Sequence, residues 1–407
     1  MNLDASPTTN VATGPEPLTR RDQLSLTSGD SSHVRVVAAE GRRQVTQFIK
    51  VPWLVYKDDP VWVPPLVFER RQHLSRRNPY FQHARARFWV AYQDSRPVGR
   101  ISAQIDTLHL ERYHDDTGFF GLLEAIDDAR VFQALLGTAE SWLRDQGMRR
   151  ALGPFSLSIN DECGLLVEGF DTPPMLMMAH GRPYYDLRLR EQGYCKAKDT
   201  VAYQLDPRAT PPKVMDATVE RAGAGRIRTR PLDWSRLDDD LEIIRDIFND
   251  AWIDNWGYVP FTAAEFRALG RDLKLFVPAD FAQIAEVDGK PAAMIVVLPN
   301  LNESIRDLDG RLAPFGWLRL LWRLKASGPT SVRVTLMGVR KEYQGSALGM
   351  ALAFLLIEAV RRRIVEHGIT SAELSWILED NRPMRHIQDR LGARVYKRYR
   401  IYERMIG

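Results

Sequence analysis

The fold is decided by Ser331–Gly368, SVRVTLMGVRKEYQGSALGMALAFLLIEAVRRRIVEHG. Its opening, SVRVTLMGV (331–339), is rich in β-branched and apolar residues and reads as a strand. RKEYQGS follows, and then a long run of helix formers that stops at Gly368. A strand entering a helix through a short loop aims several backbone N–H groups at one spot. The helix N-terminus adds partial positive charge, so the junction suits an anion. Gly345 and Gly349 let the backbone approach a phosphate closely. The loop holds neither GK[ST] nor GxGxxG after the strand, which excludes a P-loop and a dinucleotide fingerprint.

Upstream of this stretch, RIRTRPL (226–232) predicts a strand. DDDLEIIRDIFNDAWIDNW and TAAEFRALGRDLKLF predict amphipathic helices, and FAQIAEV–DGK–PAAMIVVL a hairpin turning at Asp288-Gly289. Downstream come SAELSWIL, the short helix RPMRHIQDRLG and a last strand, ARVYKRYRIYER. The first half of the chain repeats this order: a strand at 34–37, helical segments, a hairpin at 88–105, a strand at 117–126, a helix at 131–147, a strand, a short helix and a final strand. The endings also match. Gly193 precedes Tyr203 by ten residues, and Gly392 precedes Tyr402 by ten. Repetition of eight elements predicts a diverged duplication, an α/β fold with mixed sheets. The expected limits are a disordered tail over 1–32, a first domain over 33–206, a linker over 207–225 and a second domain over 226–407 with an insert at 299–331.

The 407 residues are 44% hydrophobic and 27% charged, so large cores can form. A net charge of +4 is too small to argue for nucleic acid. Cys163 and Cys195 are the only cysteines, which excludes a disulfide framework and suits a reducing compartment. The opening residues lack an apolar core, and no run approaches the ~20 residues that span a bilayer. A cytoplasmic protein is expected, at the inner face of the membrane if it touches one. The histidines show no paired spacing, so no metal is expected.

The loop Tyr343-Gln344-Gly345-Ser346-Ala347-Leu348-Gly349 resembles the acyl-CoA pyrophosphate loop of the GNAT superfamily of N-acetyltransferases, with Ala347 in place of its first glycine. Asn381-x-x-Met384-x-x-Ile387 through Leu391-Gly392-Ala393 resembles that family's second signature. The resemblance covers 226–407 well and 34–206 as a degenerate copy, so two tandem GNAT-like domains are expected. It implies acyl-CoA as co-substrate, held by Met337, Val339, Gln344, Gly345, Ser346, Ala347, Leu348, Gly349, Met350 and Asn381. Amides near a strand bulge at Met337–Val339 would stabilise the developing oxyanion. In the first half Glu124, Asp127 and Asp128 stand where a pyrophosphate would bind and would repel it. The family's thiolate-protonating Tyr is replaced, by register, with Gln388.

The acyl acceptor is an amine, which needs a general base. The candidates are Glu379 with Asn381, at a strand end, and Asp161 in Ser158-Ile159-Asn160-Asp161-Glu162. Capping explains Asp380, and a turn is the structural alternative for the 158–162 cluster. Asn160, Asn255, Trp256 and Tyr258, with Trp317 and Trp322 of the insert, are expected to bind the substrate. The insert RLAPFGWLRLLWRLK (311–325) carries Trp317, Trp322 and four cations without an acid. It reads either as an interfacial anchor or as a lid, apolar and beside the acyl site. KDDPVWVPPL (57–66), the SINDE loop and this insert resemble the GNAT-like proteins that include the bacterial ceramide synthases, which implies a long acyl chain and a lipidic or sphingoid-base acceptor. An N-acetyltransferase of a small polar amine and a non-catalytic acyl-CoA-binding module remain the alternatives. The alternation in RVYKRYRIYER fits an edge strand with one solvated face rather than a nucleic-acid site.

Overall fold

Alternating side chains and tight turns build one sheet from both halves of the chain. The computed structural model describes residues 33–221, 224–326 and 328–407, so the tail expected over 1–32 lies outside the described residues. The first half supplies β1 (Arg35–Ala38), β2 (Ala84–Gln93), β3 (Arg96–Asp106), β4 (Thr117–Ala125), β5 (Arg150–Gly153), β6 (Leu165–Glu168) and β7 (Cys195–Leu205). The second supplies β8 (Ile227–Pro231), β9 (Ala282–Val287), β10 (Lys290–Pro299), β11 (Ser331–Val339), β12 (Ser371–Leu378) and β13 (Arg394–Met405). The β9–β10 turn uses Asp288 at φ 50° and Gly289 at φ 78°, the left-handed pair that a two-residue hairpin requires.

The strand order is β1-β2-β3-β4-β5-β13-β7-β12-β11-β10-β9-β8, with β6 also on β13. The fold is mixed α/β, and the two halves repeat one topology. β1–β5 and β8–β12 are each antiparallel except for one parallel pair, β4 with β5 and β11 with β12. The last strands are exchanged: β13 pairs with β5, and β7 pairs with β12. They then pair with each other, Tyr203 opposite Val395 and Tyr402 opposite Lys196. The two tyrosines that follow matching glycines thus occupy equivalent places about a local two-fold axis. Each half completes its sheet with the other's final strand, so β13 is paired on both sides and is an interior strand, not the edge strand expected of it. The segment expected as a linker contains the helix Lys213–Arg221, which buries Met215 and packs against the helix Ala347–Glu366.

That long helix buries Leu352, Leu356, Val360 and Ile364 against Ile295, Val297 and Val332. The helix Leu237–Trp252 buries Leu241, Ile244, Ile247 and Phe248 against Ile284 and Met294 in a second cluster. Each such side chain contributes about 1.5–3 kcal/mol of burial. A polar tie joins the halves as well. His83 Nδ1 lies 2.9 Å from Asp106 and its Nε2 lies 3.2 Å from Glu265. Burial disfavours the imidazolium, but bonds to the two carboxylates outweigh it and hold the group up at about 9.

Candidate active site

β11 and β12 pair in parallel only from Ser331–Val334 to Ser371–Leu374. Beyond that point Thr335–Val339 and Ser375–Leu378 have no pairing with each other, and a wedge opens between them. β11 bulges at its mouth. Leu336 lies opposite Val296 and Val334 opposite Val297, which leaves Thr335 as the extra residue. The bulge therefore precedes the Met337–Val339 position expected for it. The carbonyls of Met337 and Val339 are engaged, accepting from Trp252 Nε1 at 3.1 Å and Gln344 Nε2 at 2.8 Å. Thr335 was missed because a bulge depends on the partner strand's register, which leaves no mark in the sequence.

The glycine loop lies at the far end of β11. Ser346 caps the helix Ala347–Glu366 by accepting from Gly349 N at 3.0 Å. The amides of Tyr343, Gln344, Ser346 and Met350 donate to carbonyls of the loop itself. Among the described hydrogen bonds none uses the N–H of Gly345, Ala347 or Leu348, so three donors face outward at a helix start. Gln344 binds Ala251 O as well as Val339 O, so its side chain pins the loop instead of reaching a ligand. Gly345 takes φ 70°. At Gly349 a Cβ would lie 2.1 Å from Tyr343 O. The glycine is thus required by the chain's own carbonyl, whatever binds the loop. Gly349→Ala is expected to lower the melting temperature and acyl-CoA affinity together, read by thermal unfolding and calorimetric titration.

The first half shows the contrast. Its equivalent helix, Ala129–Asp145, starts at Asp128, whose carboxylate accepts from Arg130 N and Arg130 Nη2. The Arg130 bonds hold Asp128 well below the usual carboxylate range. Asp127 binds Arg188 at 2.8 Å, and Glu124 accepts from the Tyr56 and Tyr185 hydroxyls at 2.6 and 2.8 Å. Carboxylates occupy the place held by neutral Ser346 in the second half.

The 158–163 loop of the first half reaches the wedge. Trp376, two residues past the last parallel pair in β12, packs with Ile159 and Trp256 on Phe155 and Cys163. Asn160 Nδ2 donates to Val259 O at 3.1 Å, and Gly257 lies against Ile159. Ile159, which precedes Asn160 and Asp161 in the loop, and Trp256 therefore come together from the two halves beside Trp376. Withdrawal from water pushes Asp161 up to about 6, although Ser158 N donates to it. Its neighbour Glu162 is spent on Arg70 at 2.5 Å. Burial raises the Cys163 thiol to about 12, which leaves no thiolate for nucleophilic chemistry near neutral pH.

Other expected residues have structural partners. Glu379 turns toward β7, binding Lys196 Nζ at 2.6 Å and Asp199 N at 3.1 Å. Asn381 caps the helix Arg382–Arg390 by accepting from Met384 N. The Tyr258 hydroxyl is used up on Asn249 Oδ1 at 2.9 Å. Asn255 closes a turn, its N–H donating to Trp252 O. Leu348 and Met350 flank the loop, Met350 exposed. Gln388 is 1% exposed, with Nε2 3.6 Å from Met384 Sδ. Trp317 and Trp322 sit on the helix Gly316–Ala326. That insert joins β11 at Ser331, the end opposite the glycine loop.

Beneath the wedge lies a buried ion pair that sequence reading passed over. Arg333 and Glu373 are both fully buried, Nε to Oε1 at 3.6 Å. The guanidinium stands 4.4 Å over the Trp376 ring and donates to Ser375 Oγ and Leu176 O. Glu373 also accepts from Ser375 Oγ at 2.7 Å and from the Tyr396 hydroxyl. Arg333→Met would strand the carboxylate and is expected to cost about 3–5 kcal/mol in denaturant unfolding. Among the described residues no group of His, Cys, Asp or Glu is placed to hold a metal, and no helix is long and apolar enough to cross a membrane.

No family model matches the chain. Protein YghO of Escherichia coli (strain K12) is 49% identical over 370 residues, covering 90% of this chain and 94% of that protein. Bacterial ceramide synthase of Caulobacter vibrioides is 43% identical over 378 residues, covering 92% and 98%. Among solved structures, a tandem GNAT protein from the clavulanic acid biosynthesis pathway superposes with a TM-score of 0.54 at 14% identity. It covers 92% of this chain and 99% of that one.

Proposed function

We infer the activity from one premise: the chain belongs to the family of bacterial ceramide synthase and protein YghO, and it carries the tandem GNAT fold. It is an N-acyltransferase. The donor is acyl-CoA, and the acceptor is a lipidic amine of the sphingoid-base class. The observation that carries this reading is the wedge between β11 and β12, with open amides at one end and the Thr335 bulge along its wall.

The N–H groups of Gly345, Ala347 and Leu348 hold the diphosphate. The thioester carbonyl meets backbone donors at the bulge, where they stabilise its developing charge. A line from loop to bulge continues toward Ser331. There the segment Met175–Met178 packs on the wedge, its Met175 and Met178 sulfurs accepting from Ser331 and Ser375 at 3.5 and 3.4 Å. Methionines adapt to a flexible acyl chain. The insert 311–325 lies past them, where it can meet a lipid surface. The acceptor enters beside Trp256 and Asn160, and Asp161 accepts its proton. The amine nitrogen attacks the carbonyl carbon, the C–N bond forms, the C–S bond breaks, and CoA leaves as thiolate. Its thiol is acidic enough to depart without a side-chain acid, and Gln388 supplies none.

The test incubates the protein with sphinganine and either palmitoyl-CoA or acetyl-CoA, with mass spectrometry of products and free-thiol release. The expected product is the N-palmitoyl amide. Acetylation of spermidine in place of the long-chain amine would overturn the acceptor assignment. Acyl-CoA binding without transfer to any amine would overturn the enzymatic one.

A further inference from the structure

We propose that the insert helix and the first helices of the N-terminal half form one composite surface that docks on an anionic lipid bilayer. The helix Gly316–Ala326 buries none of its residues. Leu318, Leu321 and Trp322 stand at i, i+3 and i+4, the spacing that ordinarily marks a core-facing stripe. Here they point outward, 48%, 47% and 66% exposed, with Phe315 and Trp317 at 72% and 49%. The inward edge is satisfied separately, Leu312 and Leu320 packing on Val63, Ile305 and Leu308.

The same surface continues onto the other half. Leu54 and Phe68 are exposed there, and the segments that carry them are tied to the insert. Trp53 Nε1 donates to Asp309 Oδ1 at 2.5 Å, and Val67 N donates to Gly310 O at 3.0 Å. A Cβ at Gly310 would come within 2.6 Å of Trp53 and 2.7 Å of Pro65 O, so the two pieces meet closely. An aromatic face of this extent on a single chain marks an interaction site.

Charge selects the occupant. Arg319 and Arg323 are bound by Asp307. Arg311 and Lys325 are exposed at the two ends of the stripe, where no described carboxylate meets them. Tryptophans flanked by cations suit the headgroup region of an anionic bilayer, with the rings at the interface and the cations on phosphates. This rests on the lipid-acceptor reading above, for which the surface supplies the route of entry.

Co-sedimentation of the full chain with vesicles of phosphatidylcholine alone, or with phosphatidylglycerol at three parts in ten, tests the proposal. Partitioning onto the anionic vesicles is expected to exceed that onto neutral ones by about tenfold. Trp322→Glu and Phe68→Glu, one in each half, should each reduce it by about tenfold. Palmitoyl-CoA titration of both variants should match the parent. Loss in Trp322→Glu with none in Phe68→Glu would overturn the composite surface. Equal binding to neutral vesicles, or none to either, would overturn the bilayer as occupant. So would a parent dimer in size-exclusion chromatography that both variants abolish, which would assign the face to a second copy. Failed palmitoyl-CoA binding by the parent would instead strike the proposed activity and leave the vesicle result standing.

Discussion

Asp161→Asn is expected to lower kcat by about 10²–10⁴-fold, the range for losing a general base. Asp161 follows Ile159 and Asn160 in the loop that reaches Trp376, and burial lifts its carboxylate to about 6 from the ordinary 3.8, near working pH. The base form exists above that value. The kcat/KM of the parent should therefore rise with pH through about 6 and level off, and the Asn variant should lose that limb. Stability runs the other way. Between the ordinary carboxylate value and about 6, the folded chain keeps a proton that the unfolded chain has released, so stability falls as pH rises through that window. At pH 7.5 the Asn variant should melt no lower than the parent, which separates lost chemistry from lost folding. Thiol-release rates across pH 5 to 9 check both points. An unchanged limb in the variant would remove Asp161 from the mechanism and leave a water chain as the base.

Ala347→Pro is expected to weaken acyl-CoA binding by about 10–100-fold, the effect of one hydrogen bond to a charged group. Proline deletes one of the three open N–H groups at the helix start and nothing else. It is favoured at the first helical position, and Ser346 already has the extended backbone, φ −103° and ψ 161°, that must precede it. The melting temperature should therefore stay within a degree or two while the dissociation constant rises. Gly349→Ala cannot make this distinction, because its Cβ strikes Tyr343 O directly. Unchanged affinity in the proline variant would place the diphosphate elsewhere.

Much of this was legible in the residues. The junction at 331–368 reads as strand, loop and helix because its signals are local. A β-branched and apolar run, a run of helix formers and a terminal Gly each act within a few positions. The repeat is legible because duplication copies the order of elements, and the Gly193–Tyr203 and Gly392–Tyr402 spacings survive as a matched pair. Asn160, Asp161 and Trp256 could be singled out as polar or aromatic residues near turns, though not as neighbours. Glu379 could not be told from Asp161. Both are carboxylates near strand ends, and only the structure shows Lys196 and Asp199 N claiming the first. The insert's cations and tryptophans were evident, but whether its stripe faced inward or outward was not.

From the chain alone follow the strand–loop–helix junction, the duplication and the chemical character of the insert, since each depends on side chains close together in sequence. Which strands become partners was decided only in three dimensions. β7 and β13 carry the same pattern, so either satisfies the edge of either half, and the exchange is settled by packing across the whole sheet. The Thr335 bulge, the level at which the 158–163 loop meets Trp376 and the outward turn of Trp322 were decided there too. Each is a relation between residues far apart in sequence, and no periodicity along one segment encodes the register of another.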